Sequence, residues 1–342
     1  MKVGFDISQL AYKGGVVTYT KNLAEQLAKM SELEMVFFYS SMRKPYHGSL
    51  KNVKRFHLPP TALEIIFNKF RKIPIERFIG SLDIFHSSDW TFPKTSAKKV
   101  TTYHDVVPLK YPQWSHPKII SVHKKRLELV EKEIDMIIAV SHSTKKDLLE
   151  ISKIPEDKIT VIYEGVDEKF KPQNVKDIEQ FRQKYKLPDE FILAIGGVGE
   201  RRNLKRVKEA SKNYNLVIAG ETIPWISEQE LPLLYSAAKV LFYPSLYEGF
   251  GLPILEAMAC GTPVITSNVS SMPEVGGSAS AGVVLYVNPE SIEEMQRSIG
   301  EIMGDKGLRE QMIKKGFLQA KKFSWEKCAK ETAKVYQEVM KR

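Results

Sequence analysis

The sequence predicts an α/β protein with two doubly wound, Rossmann-like domains that face a shared cleft. At 342 residues the chain exceeds the ~250–300 residues at which one hydrophobic core stops growing. Short apolar runs alternate with helical stretches in both halves, which is typical of parallel sheets covered on both faces. A polar stretch with a proline, EKFKPQNVKDIEQ at 168–180, is the predicted linker. We therefore predict a first domain over 1–167 and a second one from 168 onward.

The individual elements follow from apolar runs of strand length and from longer amphipathic stretches. In the first half, strands are predicted near 2–8, 34–40, 83–87, 99–104, 136–141 and 159–163, and helices near 16–30, 61–72, 117–134 and 143–150. In the second half, strands are predicted near 191–196, 215–219, 240–244, 263–267 and 283–287, with helices between them. Ligands of such folds bind at the carboxyl ends of the strands, so the loops there form the candidate site.

Composition excludes several classes of protein. The start, MKVGFDIS, predicts a strand and not a signal peptide, because no apolar segment of about 7–15 residues follows a basic tip. No run approaches the ~18 apolar residues that a membrane-spanning helix needs. Two cysteines, Cys260 and Cys328, make a poor disulfide or metal framework. The sequence therefore predicts a cytoplasmic protein.

Positive charge is concentrated in the first half. Residues 1–165 contain 26 Lys and Arg against 18 Asp and Glu, which leaves 25 against 23 of the chain's 51 and 41 for the remainder. Nucleic acid, an anionic membrane surface and a merely solvated face are the alternatives for such a basic surface. No nucleic-acid-binding signature is present, so we favour a peripheral position at the inner face of a membrane, with no nucleic acid as partner.

The segment 61–80, TALEIIFNKFRKIPIERFIG, is the predicted membrane contact. Its apolar residues at spacings of three and four are Leu63, Ile66, Phe67 and Phe70. This apolar face can equally pack against the first domain's own sheet. Its basic residues, Lys69, Arg71, Lys72 and Arg77, are expected to point outward in either case.

Two loops of the first half are candidates for ligand contact. In YKGGVVTYTKNL, Gly14 and Gly15 lead into a helix and let the backbone approach a ligand closely. In TYHDVVP, His104 and Asp105 follow a strand and are expected at the same cleft, although a histidine in such a place is as often structural as functional.

A loop of the second half, ILAIGGVGERRNL, opens a helix after a strand. The guanidinium groups of Arg201 and Arg202 can neutralise a diphosphate there. The glycines from Gly197 onward, with Glu221 after the next strand, also suggest a dinucleotide fingerprint. Arg202 stands where that fingerprint needs its third glycine, which argues against an oxidoreductase.

The stretch YEGFGLPILEAMACGTPVI, 247–265, places two acids around a glycine-rich turn. Pro253 suits the start of a helix and Gly261 its left-handed C-cap, so Glu248 is predicted in the loop and Glu256 in the first helical turn. The helix N-terminus suits a diphosphate, and carboxylates accept hydrogen bonds from sugar hydroxyls. The pattern favours a nucleotide-sugar ligand. The alternative is that Glu256 only complements the helix dipole and Glu248 is a solvated loop acid.

The longer stretch 244–275, PSLYEGFGLPILEAMACGTPVITSNVSSMPEV, closely resembles the signature of glycosyltransferase family 4, whose hallmark of Glu, seven residues and Glu fits Glu248 and Glu256. Further segments resemble the family in the expected order: GGVVTY, HDVVPLKYP, VSHSTKKDLL, VIYEGVD, ERRNL and FSWEKCAKETAKVY. The resemblance implies the GT-B fold, with a nucleotide-sugar domain over 168–324 and a helix at 325–342 that returns to the first domain.

The resemblance also implies roles for individual residues. The implied donor-binding residues are Gly14, Gly15, Gly197, Arg201, Arg202, Glu248, Gly249, Phe250, Gly251, Leu252 and Glu256. Among them Glu256 would bind the ribose and Glu248 the sugar, while the loop N–H groups would hold the diphosphate. The implied catalytic residues are His104, Arg201, Arg202 and Glu248. Tyr19 and Asp105 are expected on the acceptor side.

The implied reaction is retaining transfer of a hexose by front-face attack, without metal or cofactor. GDP-mannose is the favoured donor because His104-Asp105 resembles the mannosyltransferase-like members, and a UDP-sugar is the alternative. The basic first half favours a glycan or lipid-linked acceptor. A nucleotide-sugar epimerase of the same fold and a nucleotide-sugar-binding protein without turnover are the other functions considered.

Two departures from the family pattern bear on the donor. Val198 occupies a region where many members have an arginine, so diphosphate binding is predicted to depend on Arg201 and Arg202. Only about ten residues separate Gly220 from the helix near 231–238, where the family usually has another strand and part of the base pocket. The nucleotide base is therefore left open.

Overall fold

The computed structural model describes residues 1–197 and 199–342. It divides the chain into two compact units: unit 1 comprises Met1–Glu164 and Trp325–Arg342, and unit 2 comprises Gly165–Ser324. The segment 168–180, predicted as a linker, belongs to unit 2, and its second half starts a helix. That helix is capped by Asn174, whose side chain accepts the N–H of Asp177 at 2.9 Å. The polar composition of the segment therefore reflects a capped helix as well as a connection.

Unit 1 is built on a seven-stranded parallel sheet in the order β3-β2-β1-β4-β5-β6-β7. Its strands are β1 Lys2–Asp6, β2 Glu34–Ser40, β3 Val53–Phe56, β4 Ile84–Ser87, β5 Lys98–Tyr103, β6 Met136–Ala139 and β7 Ile159–Val161. Six of these match the predicted strands. The sequence analysis missed β3, because an edge strand with exposed Lys54 and Arg55 lacks the apolar run of a buried strand.

The helices of unit 1 that precede unit 2 in the chain are α1 Gly15–Leu27, α2 Pro60–Glu64, α3 Glu76–Ile79, α4 Val107–Lys110, α5 Pro117–Glu133 and α6 His142–Ile151. The predicted helix at 61–72 is only partly α-helical. After α2 the chain forms a π-helical turn, Ile65–Phe70, in which the N–H of Arg71 bonds the carbonyl of Ile66 at 3.0 Å.

This widened turn changes which side chains face the core. Leu63 and Phe67 are buried, which agrees with the alternative that this face packs against the sheet, but Phe70 is 69% exposed. The expectation that Arg71 points outward is wrong. Its guanidinium makes two hydrogen bonds to the Glu133 carboxylate, at 2.6 and 2.7 Å, and a third to the carbonyl of Phe92. The half-buried carboxylate of Glu133 holds Arg71 inward.

Unit 2 is built on a five-stranded parallel sheet in the order β12-β11-β10-β8-β9. Its strands are β8 Ile192–Ile195, β9 Leu216–Ala219, β10 Val240–Tyr243, β11 Val264–Ser267 and β12 Leu285–Val287, all at predicted positions. Its helices are α7 Val175–Tyr185, α8 Leu204–Ala210, α9 Leu231–Ala237, α10 Leu252–Ala259, α11 Met272–Gly276, α12 Ile292–Gly304 and α13 Lys306–Ala320. Both sheets are parallel, as the alternation of elements predicts.

The last helix, α14 Trp325–Lys341, belongs to unit 1. Tyr336 is fully buried, and its hydroxyl forms a 2.7 Å hydrogen bond with Nδ1 of the buried His86 in β4. This polar contact fixes the helix to the sheet of unit 1. Cys260 and Cys328 are both buried free thiols. Among the helices of the described residues, none has the length and apolar character to cross a membrane.

Candidate active site

In unit 2, the loop after β10 leads into α10 through a glycine turn. Gly251 has φ 111° and immediately precedes the helix, Pro253 occupies its first turn, and Gly261, with φ 80°, follows it. These positions agree with the sequence analysis. Glu256 is one turn later than predicted, because the helix already begins at Leu252. The acid therefore does not cap the helix dipole, and its role depends on its side-chain contacts.

Two serines hold the loop in place. The hydroxyls of Ser270 and Ser271 donate to the carbonyl of Glu248 at 2.6 and 2.9 Å, and Ser271 also contacts the carbonyl of Phe250 at 2.7 Å. In a trans peptide the N–H points away from the carbonyl. The N–H of Gly251 is therefore turned away from Ser271.

Glu248 is the buried centre of a charge cluster. Its side chain is buried, and its two carboxylate oxygens lie 3.0 Å from Nη1 of Arg201 and 2.7 Å from Nη1 of Arg202. The Arg202 guanidinium also stacks over the Tyr243 ring at 5.0 Å. The loop that carries these arginines is tied to the Glu248 loop, because Leu246 N–H donates to the Arg201 carbonyl at 2.8 Å.

Asn203, the third residue of the Arg-Arg-Asn turn, connects neighbouring loops. It is buried and left-handed, with φ 59°, a conformation that asparagine tolerates better than most residues. Its side-chain amide donates to the carbonyls of Pro244 at 3.0 Å and Pro289 at 2.6 Å. One side chain thus joins the loops after β8, β10 and β12, which fixes the arginines relative to the Glu248 loop.

Glu256 has a different environment from Glu248. Its Oε2 accepts a hydrogen bond from the Tyr235 hydroxyl at 2.7 Å. Burial raises the pKa of Glu256 to about 7, although the Tyr235 hydrogen bond opposes that rise. Near neutral pH this carboxyl group therefore changes between its neutral and ionised forms, and only the ionised form accepts hydrogen bonds at both oxygens.

The short segment after β9 brings an exposed tryptophan beside Gly220. Gly220 has φ 86°, and a Cβ atom there would collide with the Trp225 ring, so only glycine permits this packing. The side chain of Trp225 nevertheless remains 61% exposed. The sequence analysis noted the short segment but missed this aromatic surface.

In unit 1, His104 follows β5 and faces a buried acid. Its Nδ1 lies 3.3 Å from Oε1 of Glu164, which is 4% exposed. Burial raises the pKa of Glu164, and the hydrogen bond with His104 partly offsets the rise. With Nδ1 directed to Glu164, Nε2 points to the opposite side of the ring. Glu164 was missed as a site residue, although it lies in the segment VIYEGVD.

Tyr19 does not have the position expected of an acceptor-side residue. It is 1% exposed, its hydroxyl bonds Oγ1 of Thr102 at 2.9 Å, and its ring contacts the His104 ring edge-on at 4.6 Å. Burial excludes Tyr19 from direct contact with a ligand. Its ring instead supports the His104 ring from the core. Asp105 accepts the N–H of Val107 at 3.0 Å and so starts α4.

The remaining predicted residues lie in open loops. Gly14 has φ 113° and precedes α1, which starts at Gly15, and the space where its Cβ would stand is open. Gly197 lies beside Arg202: a Cβ atom added at Gly197 would be 3.7 Å from Cγ of Arg202. Val198 lies outside the described residues. Within the described ranges, no group of three or more His, Cys, Asp or Glu side chains could hold a metal ion.

Comparisons with known proteins decide the family. The family model "Glycosyl transferases group 1" matches residues 144–319, and the model "Glycosyltransferase Family 4" matches residues 13–170. The chain belongs to the group 1 glycosyl transferases. O-antigen chain mannosyltransferase B from Escherichia coli is 30% identical over 285 residues, which cover 74% of each chain. The family predicted from the sequence is confirmed.

Two further similarities bear on this group 1 glycosyl transferase. The serotype-specific mannosyltransferase WbdA from Escherichia coli is 29% identical over 268 residues, covering 68% of this chain but only 32% of that relative. Sucrose-phosphate synthase from Thermosynechococcus elongatus has a TM-score of 0.78 at 20% identity, covering 99% of this chain and 98% of that structure. The predicted fold class, two parallel α/β domains of the GT-B type, is confirmed, and the protein is a glycosyltransferase.

Proposed function

We propose that this glycosyltransferase moves a mannosyl residue from a nucleotide-diphospho-sugar to a glycan or lipid-linked acceptor, with retention and without a metal. The observation that carries the proposal is the convergence of Arg201 and Arg202 on the buried carboxylate of Glu248, beside the N-terminus of α10. Two guanidinium groups against one carboxylate leave a net positive charge for a diphosphate.

The cluster suggests an exchange of partners on donor binding. A diphosphate attracts both arginines, and Glu248 then becomes available to accept hydrogen bonds from the hydroxyls of the donor sugar. As the bond to the leaving diphosphate breaks, negative charge grows on the phosphate oxygens next to Arg201 and Arg202. That charge is stabilised by groups already in place, which is the usual source of electrostatic catalysis.

The nucleotide end of the donor is assigned to Glu256, which would accept hydrogen bonds from the ribose hydroxyls. The names of the relatives support mannose as the transferred sugar, because two of them are mannosyltransferases. We favour GDP-mannose, with a UDP-sugar as the alternative donor. We propose that retention results from attack of the acceptor hydroxyl on the face that the leaving group occupies, and that the phosphate of the leaving group receives the acceptor proton.

His104 is proposed to hydrogen-bond the donor sugar through Nε2. The contact between Nδ1 and Glu164 supports this assignment, because it fixes the ring and directs the other nitrogen away from the carboxylate. Glu164 thus acts as a positioning residue for His104.

A membrane-bound acceptor is supported by one surface of unit 1. Ile65, Phe70 and Ile73 are exposed by 39%, 69% and 43%. Lys69 and Lys72 lie among them and are exposed as well. Exposed apolar side chains beside lysines favour the surface of an anionic bilayer. We propose that this surface holds the enzyme at the inner face of the membrane.

The test is nucleotide release from a donor panel. GDP-mannose, GDP-glucose, UDP-glucose and UDP-N-acetylglucosamine are each incubated with the enzyme, with and without acceptor lipid extract, in EDTA and in Mg²⁺. We expect GDP release from GDP-mannose that increases with acceptor and survives EDTA, with an α-linked product. A strict Mg²⁺ requirement would contradict the metal-independent mechanism. Interconversion of nucleotide-sugars without transfer would favour an epimerase.

A further inference from the structure

A continuous series of buried side chains connects helix α14 of unit 1 to the His104 ring. The hydroxyl of Tyr336 in α14 lies 2.7 Å from Nδ1 of His86 in β4. On the other side of the His86 ring, Nε2 lies 2.9 Å from Oγ1 of Thr102 in β5. The same Oγ1 lies 2.9 Å from the Tyr19 hydroxyl, and the Tyr19 ring contacts the His104 ring edge-on. This buried series of Tyr336, His86, Thr102 and Tyr19 therefore ends at a residue proposed to contact the donor sugar.

The imidazole of His86 is held in one orientation and one charge state. It stacks on the Phe5 ring of β1 with 4.7 Å between the ring centres. Burial, with smaller contributions from His104 and Arg126, lowers the pKa of His86 to about 3, so the ring is neutral near neutral pH. A neutral imidazole has one N–H and one acceptor nitrogen. The two hydroxyl groups that contact the ring must therefore have opposite roles, one as donor and one as acceptor.

These opposite roles link the hydrogen bonds of the series to one another. When the Tyr336 hydroxyl donates to Nδ1 of His86, the ring carries its proton on Nε2 and donates to Oγ1 of Thr102. Thr102 then shares a hydrogen bond with Tyr19. Hydrogen bonds in such a chain polarise one another, so the loss of the bond at one end weakens those that follow. A change at Tyr336 is therefore expected to reach Tyr19.

Helix α14 also contacts Tyr19 directly. Trp325, the first residue of α14, is 4% exposed, and its ring lies edge-on to the Tyr19 ring at 5.9 Å. Tyr19 is thus held at its ring by Trp325 and at its hydroxyl by Thr102. On its far side, the His104 ring is held by Glu164 through Nδ1. Because a group that contacts the reacting substrate must be placed accurately, the support behind His104 bears on the rate.

We propose that Tyr336 is a positioning residue for His104 and acts on it through His86, Thr102 and Tyr19. The consequence for turnover rests on the proposed function, in which His104 hydrogen-bonds the donor sugar. The alternative is that Tyr336 only attaches α14 to the sheet. In that case the loss of its hydroxyl lowers stability and leaves the His104 ring unchanged.

The first test observes the His104 ring by NMR in the full chain without donor. Imidazole ¹H–¹⁵N spectra of wild type and Tyr336→Phe are compared, and the His104 signal is assigned by its loss in His104→Ala. We expect the signals of His86 and His104 both to shift. Tyr39→Phe is the matched control, because it removes a 2.7 Å hydrogen bond from the Tyr39 hydroxyl to the Lys44 carbonyl elsewhere in unit 1. A His104 signal that is unchanged in Tyr336→Phe, or that shifts equally in the control, would overturn the proposal.

The second test is a double-mutant cycle on kcat with GDP-mannose. Tyr336→Phe and Thr102→Val should each lower kcat by about threefold to tenfold, the scale of one neutral hydrogen bond, with GDP affinity unchanged. Thr102→Ser keeps the hydroxyl and should retain most of the activity. In a His104→Ala background neither Tyr336→Phe nor Thr102→Val should lower kcat further, because both act through that ring. Losses that add in this background would show a general structural effect and overturn the proposal.

The two tests separate this inference from the proposed function. If His104→Ala keeps the wild-type kcat, the proposed contact of His104 with the donor is wrong, and the NMR shift still decides whether Tyr336 positions the ring. If His104→Ala lowers kcat but Tyr336→Phe and Thr102→Val do not, the proposed function stands and the positioning role is wrong. Melting curves show whether Thr102→Val is folded, and Tyr336→Phe tests the same series if it is not.

Discussion

The two units use polar side chains in different ways. In unit 2, Glu248 is paired with two arginines, and the whole cluster is fixed by loop-to-loop hydrogen bonds. In unit 1, His104 is paired with Glu164, and Gln9 with Asp89, without a lysine or arginine in either pair. Concentrated positive charge suits a diphosphate, and fixed hydrogen-bonding groups suit sugars. Chemistry and recognition are therefore expected to respond differently to substitutions in the two units.

The largest effect is expected for the arginines of unit 2. Arg202→Ala should lower kcat by about 10²–10³-fold, because it removes charge stabilisation that acts mainly in the transition state. Arg202→Lys should recover only part of the activity, since lysine cannot reproduce the stack on Tyr243. Steady-state kinetics with GDP-mannose measure both. Lys205→Ala, at an exposed cationic side chain in α8, is the control, and an equal loss there would point to a structural effect.

The two acids of unit 2 should separate binding from turnover. Glu256→Ala should weaken GDP binding by about tenfold, the scale of one hydrogen bond to a charged group. Glu248→Ala should leave GDP binding equal or tighter, because it frees both arginines for the diphosphate, and should lower kcat. Isothermal titration with GDP and steady-state kinetics check both. Equal losses of GDP affinity in the two variants would refute this division of roles.

The pH dependence of nucleotide binding sharpens the contrast between these acids. With a pKa of about 7, Glu256 is mostly neutral at pH 6 and mostly ionised at pH 8. If the ionised form accepts the ribose hydroxyls, GDP affinity should rise by up to about tenfold over that range. Titrations in wild type and Glu256→Gln separate this rise from the titration of GDP itself. A rise that persists in Glu256→Gln would assign it to another group.

A smaller effect is expected at the His104 pair of unit 1. Glu164→Gln keeps the shape but removes the carboxylate that holds Nδ1–H, so kcat should fall by about tenfold while GDP affinity is unchanged. Steady-state kinetics, titration with GDP and melting curves measure these effects. A loss of thermal stability together with a loss of GDP affinity would show that Glu164 is only structural.

The sequence predicted those features that depend on residues close together in the chain. Of the twelve strands in the part of the chain that the structure describes, eleven were indicated by buried apolar runs, and the exception, β3, is a polar edge strand. Likewise Glu248, Glu256 and the Arg201-Arg202 turn were found because each lies in a contiguous motif. Glu164, the partner of His104, and Asp89, the partner of Gln9, were not found. They are distant in the chain and come close only through the order of strands in the sheet.

The smallest effect is expected at the surface of unit 1 formed by Ile65, Lys69, Phe70, Lys72 and Ile73. Lysines near an anionic surface contribute up to about 1 kcal/mol each, so Lys69→Gln with Lys72→Gln should weaken binding to anionic vesicles several-fold. Phe70→Ser should weaken binding further by removing the most exposed apolar side chain of this surface.

Arg71 must be left unchanged in this test. Because its guanidinium is held by Glu133, Arg71→Gln should destabilise unit 1 without altering the lipid-facing charge. Co-sedimentation with neutral and anionic vesicles measures the effect. The Lys145→Gln and Lys146→Gln double variant on α6 is the charge-matched control. If binding does not depend on lipid charge, or falls equally in the control, this surface no longer supports a membrane-bound acceptor. Either result would leave the proposed chemistry of unit 2 unchanged.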